Sequence, residues 1–231
     1  MKLVLWDIDG TLLLLRGVGR RSAVAAVAEV LKADQVDERT RSVDFAGSTD
    51  GRIFRAMAAA CGIVGDAYES NLPALRARYL ELLAGEVAAF RDDPVLPAVP
   101  SVLARMAEHA EVRLGLLTGN YEPGARIKLT PFGLMEFFRV GGFGDDSEDR
   151  REVAAAAFGR SSVHHGIEFR RSDVIVVGDT EHDIDCALAH GFRAVGVCTG
   201  RRTRERLTSA GAHLVLDNLT EPDALERILE I

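Results

Sequence analysis

Residues 4–15 read VLWDIDGTLLLL: an apolar run, the aspartates Asp7 and Asp9 around a single isoleucine, then Gly10, Thr11 and a second apolar run. Carboxylates at the end of a hydrophobic segment are costly to bury unless they are paired or bound to a cation. The stretch therefore predicts a strand that delivers both acids to a loop or to an ion, and the remaining chain must supply the partners.

Further apolar runs rich in β-branched residues occur at Val112 to Leu117, Val174 to Val177, Ala194 to Cys198 and Leu214 to Leu216, and with Leu3 to Trp6 each reads as a strand. Between them, segments such as Arg151 to Phe158 and Ile184 to His190 carry helical patterning. This alternation predicts an α/β fold with a parallel sheet covered on both faces, and the unbroken VIVV at 174–177 is what a strand buried on both faces requires.

The alternation is interrupted once. From about Arg20 to Phe90 the segments RRSAVAAVAEVLKA, DGRIFRAMAAACG and LPALRARYLELLAGEVAAF all place apolar residues at helical spacing, with no strand among them. The three prolines of RDDPVLPAVP, residues 91–100, mark a return linker. An α/β core of residues 1–16 and 92–231, with an all-helical insert at 17–91, is the expected organisation.

Composition narrows the function. Of 231 residues 47% are hydrophobic, enough for a substantial core. The 28 basic and 35 acidic residues give a net charge of -7, which disfavours nucleic acid and anionic membranes as partners. Cys61, Cys186 and Cys198 are too few and too scattered for a disulfide framework or a zinc site. The first residues fit neither a signal peptide nor an anchor, and no run is long enough to span a membrane, so a cytoplasmic location is expected. Spacing leaves open whether the chain is a monomer or a homodimer.

In parallel sheets ligands sit beyond the carboxyl ends of the strands. There the sequence places Asp7, Asp9, Gly10 and Thr11, then Thr118, Gly119 and Asn120, then Gly178, Asp179, Thr180 and, slightly later, Asp183. Carboxylates without histidine or thiolate nearby select a hard cation, and Mg2+ commonly retains waters with one or two carboxylates and a phosphate. The hydroxyl, amide and glycine-turn N–H groups suit phosphate oxygens. A small phosphorylated metabolite is the expected substrate. Each piece alone has a plainer reading. Asp9-Gly10 alone is a turn, Thr118 to Asn120 a turn and cap, and Asp183 an acid at a helix N-terminus. Their joint occurrence at three strand ends argues for a site.

DIDGT, LLTGN and VVGDTEHD resemble three of the four motifs of the haloacid dehalogenase superfamily, in the same order. The insert is similar to its C1 helical cap, and FAGSTDGRIF at 45–54 resembles a cap segment of phosphoglycolate phosphatase-like members. The resemblance implies a Rossmann-like three-layer core and a Mg2+-dependent phosphatase of a small soluble phosphomonoester, phosphoglycolate- or sugar-phosphate-like, acting through an aspartyl-phosphate. It makes Asp7 the nucleophile, Asp9 the general acid and base, and Thr118 the phosphate-binding hydroxyl, assisted by Gly10, Gly119 and Asn120. Asp7, Asp9 through its carbonyl, and Asp179 would hold the metal, with Asp183 completing or orienting the sphere. The STDG of residues 48–51 reads first as a helix N-cap; the functional alternative is that Thr49, Asp50 or Arg52 reaches the cleft from the cap.

The chain departs from the pattern at the third motif, where the superfamily usually supplies a lysine. Its lysines are Lys2, Lys32 and Lys128. Lys2 begins the first strand and Lys32 lies in the insert; six residues of helical rise place Lys128 roughly 9 Å from the site, so of the three only Lys128 stays open as an alternative. GDDSEDRREVAAAA at 144–157 offers Arg150 and Arg151 instead, and a guanidinium can bridge phosphate and carboxylate. Arg150 is preferred over Arg151. The basic run GRRTRERL at 200–207 reads as a solvated helix face. Alternatives are a phosphomutase of the β-phosphoglucomutase type, a dehalogenase, which has no need of Asp9, and a non-catalytic binding or regulatory protein.

Overall fold

Leu3, Val4, Leu5 and Trp6 are all fully buried, and they divide by strand alternation between two hydrophobic clusters. Val4 and Trp6 pack with Leu116, Ile175 and Val177 on one side. Leu3 and Leu5 pack with Leu117, Val174 and Val176 on the other. Each such side chain contributes about 1.5–3 kcal/mol of burial. In the computed structural model, which describes residues 1–231, these residues form the centre of a six-stranded parallel sheet.

The strands are β1 (Lys2–Trp6), β2 (Val112–Leu117), β3 (Gly141–Gly142), β4 (Val174–Gly178), β5 (Arg193–Val197) and β6 (Leu214–Leu216). Their order is β3-β2-β1-β4-β5-β6, with Trp6 opposite Leu116 on one side and Val177 on the other. The chain thus reverses direction across the sheet at β1, and the ends of β2, β1 and β4 lie side by side. That switch point is where open α/β sheets bind ligands.

The helices are α1 (Val18–Leu31), α2 (Val36–Arg39), α3 (Asp50–Ala60), α4 (Asp66–Glu69), α5 (Leu72–Ala89), α6 (Val99–Glu108), α7 (Glu122–Leu129), α8 (Arg150–His165), α9 (Glu181–Ala189), α10 (Arg204–Ser209) and α11 (Ala224–Glu230). Buried residues of α6 and α11 join the Val4 and Trp6 side, and those of α8, α9 and α10 the Leu3 and Leu5 side, giving three layers. Residues 18–89 contain helices and no strand. The two crossings to this segment run together: Leu14 N–H donates to the Pro94 carbonyl at 2.8 Å and Leu96 N–H to that of Leu12 at 3.0 Å.

Two details differ from the sequence expectation. The strand β3 has no apolar or β-branched residue, and its glycines exist because of close packing. A Cβ on Gly141 would lie 2.8 Å from Leu116 Cβ, and one on Gly142 only 2.3 Å from the Val153 carbonyl oxygen. α8 and α9 also start earlier than their apolar patterning, because caps extend them. Asp149 accepts from Arg151 N–H at 2.8 Å, and Thr180 with Asp183 forms a capping box.

Candidate active site

Asp7 continues β1, its N–H bonded to the Val177 carbonyl at 3.0 Å, and it is almost wholly buried. The residue that meets it is Arg150, at the first turn of α8. Arg150 Nη2 donates to Asp7 Oδ1 at 2.9 Å, to Asp183 Oδ1 and to the Leu117 carbonyl at 3.3 Å, while Nη1 donates to the Gly47 carbonyl at 3.2 Å. One planar fork therefore ties β1, β2, α9 and the helical insert. Burial disfavours its charge, but Asp183 and Asp7 more than compensate and hold the guanidinium protonated. Burial pushes Asp7 up to about 7, against the opposing pull of Arg150.

Asp9, two residues on, has a different environment. Its side chain is 48% exposed, and Oδ2 accepts from Asn120 Nδ2 at 2.8 Å and Lys128 Nζ at 2.6 Å. Lys128 also donates to Asn120 Oδ1 at 2.6 Å, and Asn120 Nδ2 to Thr118 Oγ1 at 2.7 Å. The axial-rise argument that set Lys128 far from the site is thus corrected. Side chains on a helix tilt toward its N-terminus, and the long lysine stem brings the ammonium back to the strand ends.

Three carboxylates, Asp7, Asp179 and Asp183, offer oxygens within 4.8 Å of one another, all buried. When all three are ionised, the single guanidinium of Arg150 leaves two negative charges unbalanced, which a divalent cation would neutralise. Asp179 Oδ1 is buried without a hydrogen-bond partner. Its carboxylate is also tightly cradled, since a Cβ on Gly10, at φ +90°, would lie 2.5 Å from Oδ2 and one on Gly200 only 1.7 Å away. Burial, then Asp183 and Asp7, push Asp179 up to about 9. Asp183 is committed elsewhere: Oδ2 accepts from Thr180 N–H at 3.0 Å and Thr180 Oγ1 at 2.7 Å, and Oδ1 from Arg150. The set fits a hard cation, with Asp7 and Asp179 as direct candidates and Asp183 as the residue that orients Arg150.

The raised Asp179 and Asp7 carboxyls have a pH consequence. Both hold protons in the fold that the unfolded chain has released above about pH 4, so the stability they contribute without metal is complete below that pH and is lost as the pH rises through about 7 and then 9. A bound divalent ion replaces those protons. Saturating Mg2+ at about 100 times its dissociation constant should stabilise by about 2.7 kcal/mol, or roughly 5–10 °C in Tm. At one fixed Mg2+ concentration the shift, read by scanning calorimetry, is expected to be clearly larger at pH 8 than at pH 5, where protons compete for the same carboxylates and weaken metal binding; equal shifts would contradict the assignment.

The other anticipated residues divide. Thr118 is fully buried, its Oγ1 accepting from Asn120 and its N–H bonded to the Gly142 carbonyl at 3.1 Å. Gly119 lies so close to the insert that a Cβ there would sit 2.2 Å from the Ser48 carbonyl oxygen, and its own carbonyl accepts from Asp50 N–H at 2.7 Å. Asp50 Oδ2 accepts from Tyr121 N–H at 2.8 Å; burial pushes this carboxyl up to about 6, with Lys128 opposing. Thr49 is engaged in structure, donating to the Glu148 carbonyl at 3.1 Å and capping α3. Arg151 is not brought to the cluster: it pairs with Asp185 at 2.7 Å, both more than half exposed. Lys2 donates to the Ile231 carbonyl, at the opposite end of the sheet.

Sequence reasoning missed Lys128 as a partner of Asp9, and it missed the loop after β5. There Thr199 Oγ1 donates to the Gly10 carbonyl at 2.5 Å, and Gly200 seats Asp179. The only available signal was a threonine and a glycine, Thr199-Gly200, directly after an apolar run.

A family model described as haloacid dehalogenase-like hydrolase matches residues 1–191. The chain belongs to this family. Tyrosine-protein kinase PtkA of Mycobacterium tuberculosis is 28% identical over 202 residues, covering 86% of this chain and 62% of that protein. Phosphoglycolate phosphatase of Photorhabdus laumondii is 24% identical over 127 residues, covering 55% of this chain and 53% of that protein. The chain thus spans only about half to three fifths of the length of these curated relatives. Among solved structures, CbbY from Rhodobacter sphaeroides, in complex with phosphate, superposes with a TM-score of 0.71 at 19% identity, covering 98% of this chain and 99% of that one. A putative β-phosphoglucomutase from Thermotoga maritima gives 0.65 at 18% identity over the full length of both. These likenesses fix the haloacid dehalogenase-like fold, an α/β Rossmann-like sheet with helices on both faces. No helix is long and apolar enough to cross a membrane.

Proposed function

We propose that this haloacid dehalogenase-like chain is a Mg2+-dependent phosphatase of a small, soluble phosphomonoester, cytoplasmic, with residues 17–91 acting as a cap over the core of 1–16 and 92–231. The observation that carries this reading is that Asp7 and Asp9, separated only by Ile8, occupy opposed environments. Asp7 is buried against Arg150, and Asp9 opens toward a cavity while held by Asn120 and Lys128. Two carboxylates in contrasting surroundings suit a nucleophile and an acid–base group.

In the first step an Asp7 oxygen bonds to phosphorus as the phosphorus–alcohol oxygen bond breaks, and Asp9 gives its proton to the departing oxygen. Water then attacks phosphorus and Asp9 takes its proton; inorganic phosphate leaves and the Asp7 carboxylate is restored. Thr118 Oγ1, which accepts from Asn120, has its own hydrogen for a phosphoryl oxygen. Arg150 holds Asp7 in place. When bound by Asp7, the Asp9 carbonyl and Asp179, Mg2+ would supply positive charge to the phosphoryl group.

The test is a panel of phosphorylated metabolites assayed for phosphate release with Mg2+ and with a chelator. Turnover that requires the metal is expected; none across the panel would refute the reading. The mycobacterial relative named a tyrosine-protein kinase matches more of the chain than the phosphatases do. ATP with a tyrosine peptide, and hexose phosphates followed for isomerised product, therefore belong in the same panel as the kinase and mutase outcomes.

A further inference from the structure

A cavity of about 290 Å³ opens from Asp9 between the core and the helical segment. Its lining is unequally distributed. The polar groups Asp50, Asn120 and Lys128 lie in the network around Asp9, with Asp179 and Ser48 also facing the cavity, whereas Leu15, Val18, Val43, Phe45, Ile53 and Phe54 pack in one hydrophobic cluster and supply an apolar part of the wall. Phe54 is fixed by edge contact with Tyr79, ring centroids 5.0 Å apart, and Phe45 lies under the Arg20 guanidinium at 5.3 Å. Exposed Arg16 and Arg201 and half-buried Arg20 also line it.

We infer that the substrate is a phosphomonoester whose alcohol has an apolar body, aromatic or branched, of about benzyl size, rather than glycolate or a hexose. The inference rests on the proposed phosphatase chemistry for its orientation. The bridging oxygen must lie within hydrogen-bond reach of Asp9 to receive its proton, so the alcohol carbon continues into the cavity that Asp9 lines. There a hexose would bring hydroxyls against Leu15, Val43 and Phe45, which offer no partners, whereas an apolar body gains by leaving water. The volume lies at the small end of ligand sites. On a chain of net charge -7, Arg16 and Arg201 give an approaching phosphate dianion a local positive field.

The test compares esters of unactivated alcohols, so that leaving-group reactivity does not decide the order. With Mg2+, kcat/KM for benzyl phosphate should exceed that for glycerol phosphate, phosphoglycolate and glucose 6-phosphate by about 10- to 200-fold. In Phe45→Ala, a half-buried position, the benzyl-to-methyl phosphate ratio should fall about tenfold toward one. Calorimetric binding of benzylphosphonate against methylphosphonate, neither of which can be hydrolysed, reads the same wall without turnover and should favour the benzyl compound at least about tenfold. Hydrolysis that favours the polar esters, or equal binding of the two phosphonates, overturns the inference. Tight benzylphosphonate binding without turnover of any ester overturns the phosphatase reading and leaves the apolar specificity standing.

Discussion

Asp7→Asn is expected to abolish phosphate release, with kcat lower by at least about 10⁴-fold, because an amide cannot form the acyl-phosphate bond. The substitution is nearly isosteric, so it separates chemistry from folding. Asp7 is crowded by Asp179 and Asp183, and its carboxyl is already pushed up to about 7 by burial. Removing that charge leaves Arg150 paired with Asp183 and relieves repulsion among the acids. The unfolding temperature of the metal-free variant should therefore equal or exceed that of the parent. A second readout is the adduct itself: the parent, quenched in acid during turnover of labelled substrate, should retain label on the chain, and Asp7→Asn should retain none. Activity within a hundredfold of the parent in the variant, or label that persists, would remove Asp7 from the nucleophile's place.

The parts of this molecule legible in the sequence were those in which one residue type must stand at one place. The unbroken apolar run at 174–177 had to be a strand buried on both faces, and in a parallel sheet the strand ends that carry Asp7, Asp9 and Asp179 had to meet beside the one that carries Thr118 and Asn120. Arg150 was legible only through the resemblance, which calls for a cation between the second and fourth motifs, where the chain has Arg150 and Arg151 at a helix start and, as its one lysine, Lys128. What spacing concealed was anything decided by side-chain reach or close approach. Lys128 looked remote because axial rise measures the backbone and not the ammonium, which bonds Asp9 at 2.6 Å. Gly141 and Gly142 carry no strand propensity and pair with β2 only because nothing larger fits beneath Leu116 and α8. Thr49 could be read as a helix cap or as a cleft residue, and it is the cap, accepting from Arg52 N–H at the start of α3 and donating to the Glu148 carbonyl.

Arg150→Met tests the other half of the site, and its effect on folding should be the largest of any single change there. The variant keeps the volume of the stem but leaves Asp7, Asp179 and Asp183 facing one another with no cation and strips partners from the carbonyls of Leu117 and Gly47. Removing one member of a buried ion pair typically costs about 3–5 kcal/mol, so urea unfolding of the metal-free protein should weaken by that order. Mg2+ should restore more stability to the variant than to the parent, because it then answers the full negative charge of the cluster. Restored stability will not restore rate. Without the guanidinium, Asp7 is no longer held against β2 and α9, and kcat should fall by about 10²- to 10³-fold even at saturating Mg2+. Arg150→Lys keeps the charge but loses the fork that reaches Asp7, Asp183 and both carbonyls together, so it should recover most of the stability and little of the rate. A methionine variant that unfolds and turns over like the parent would show that Arg150 neither balances this cluster nor positions Asp7.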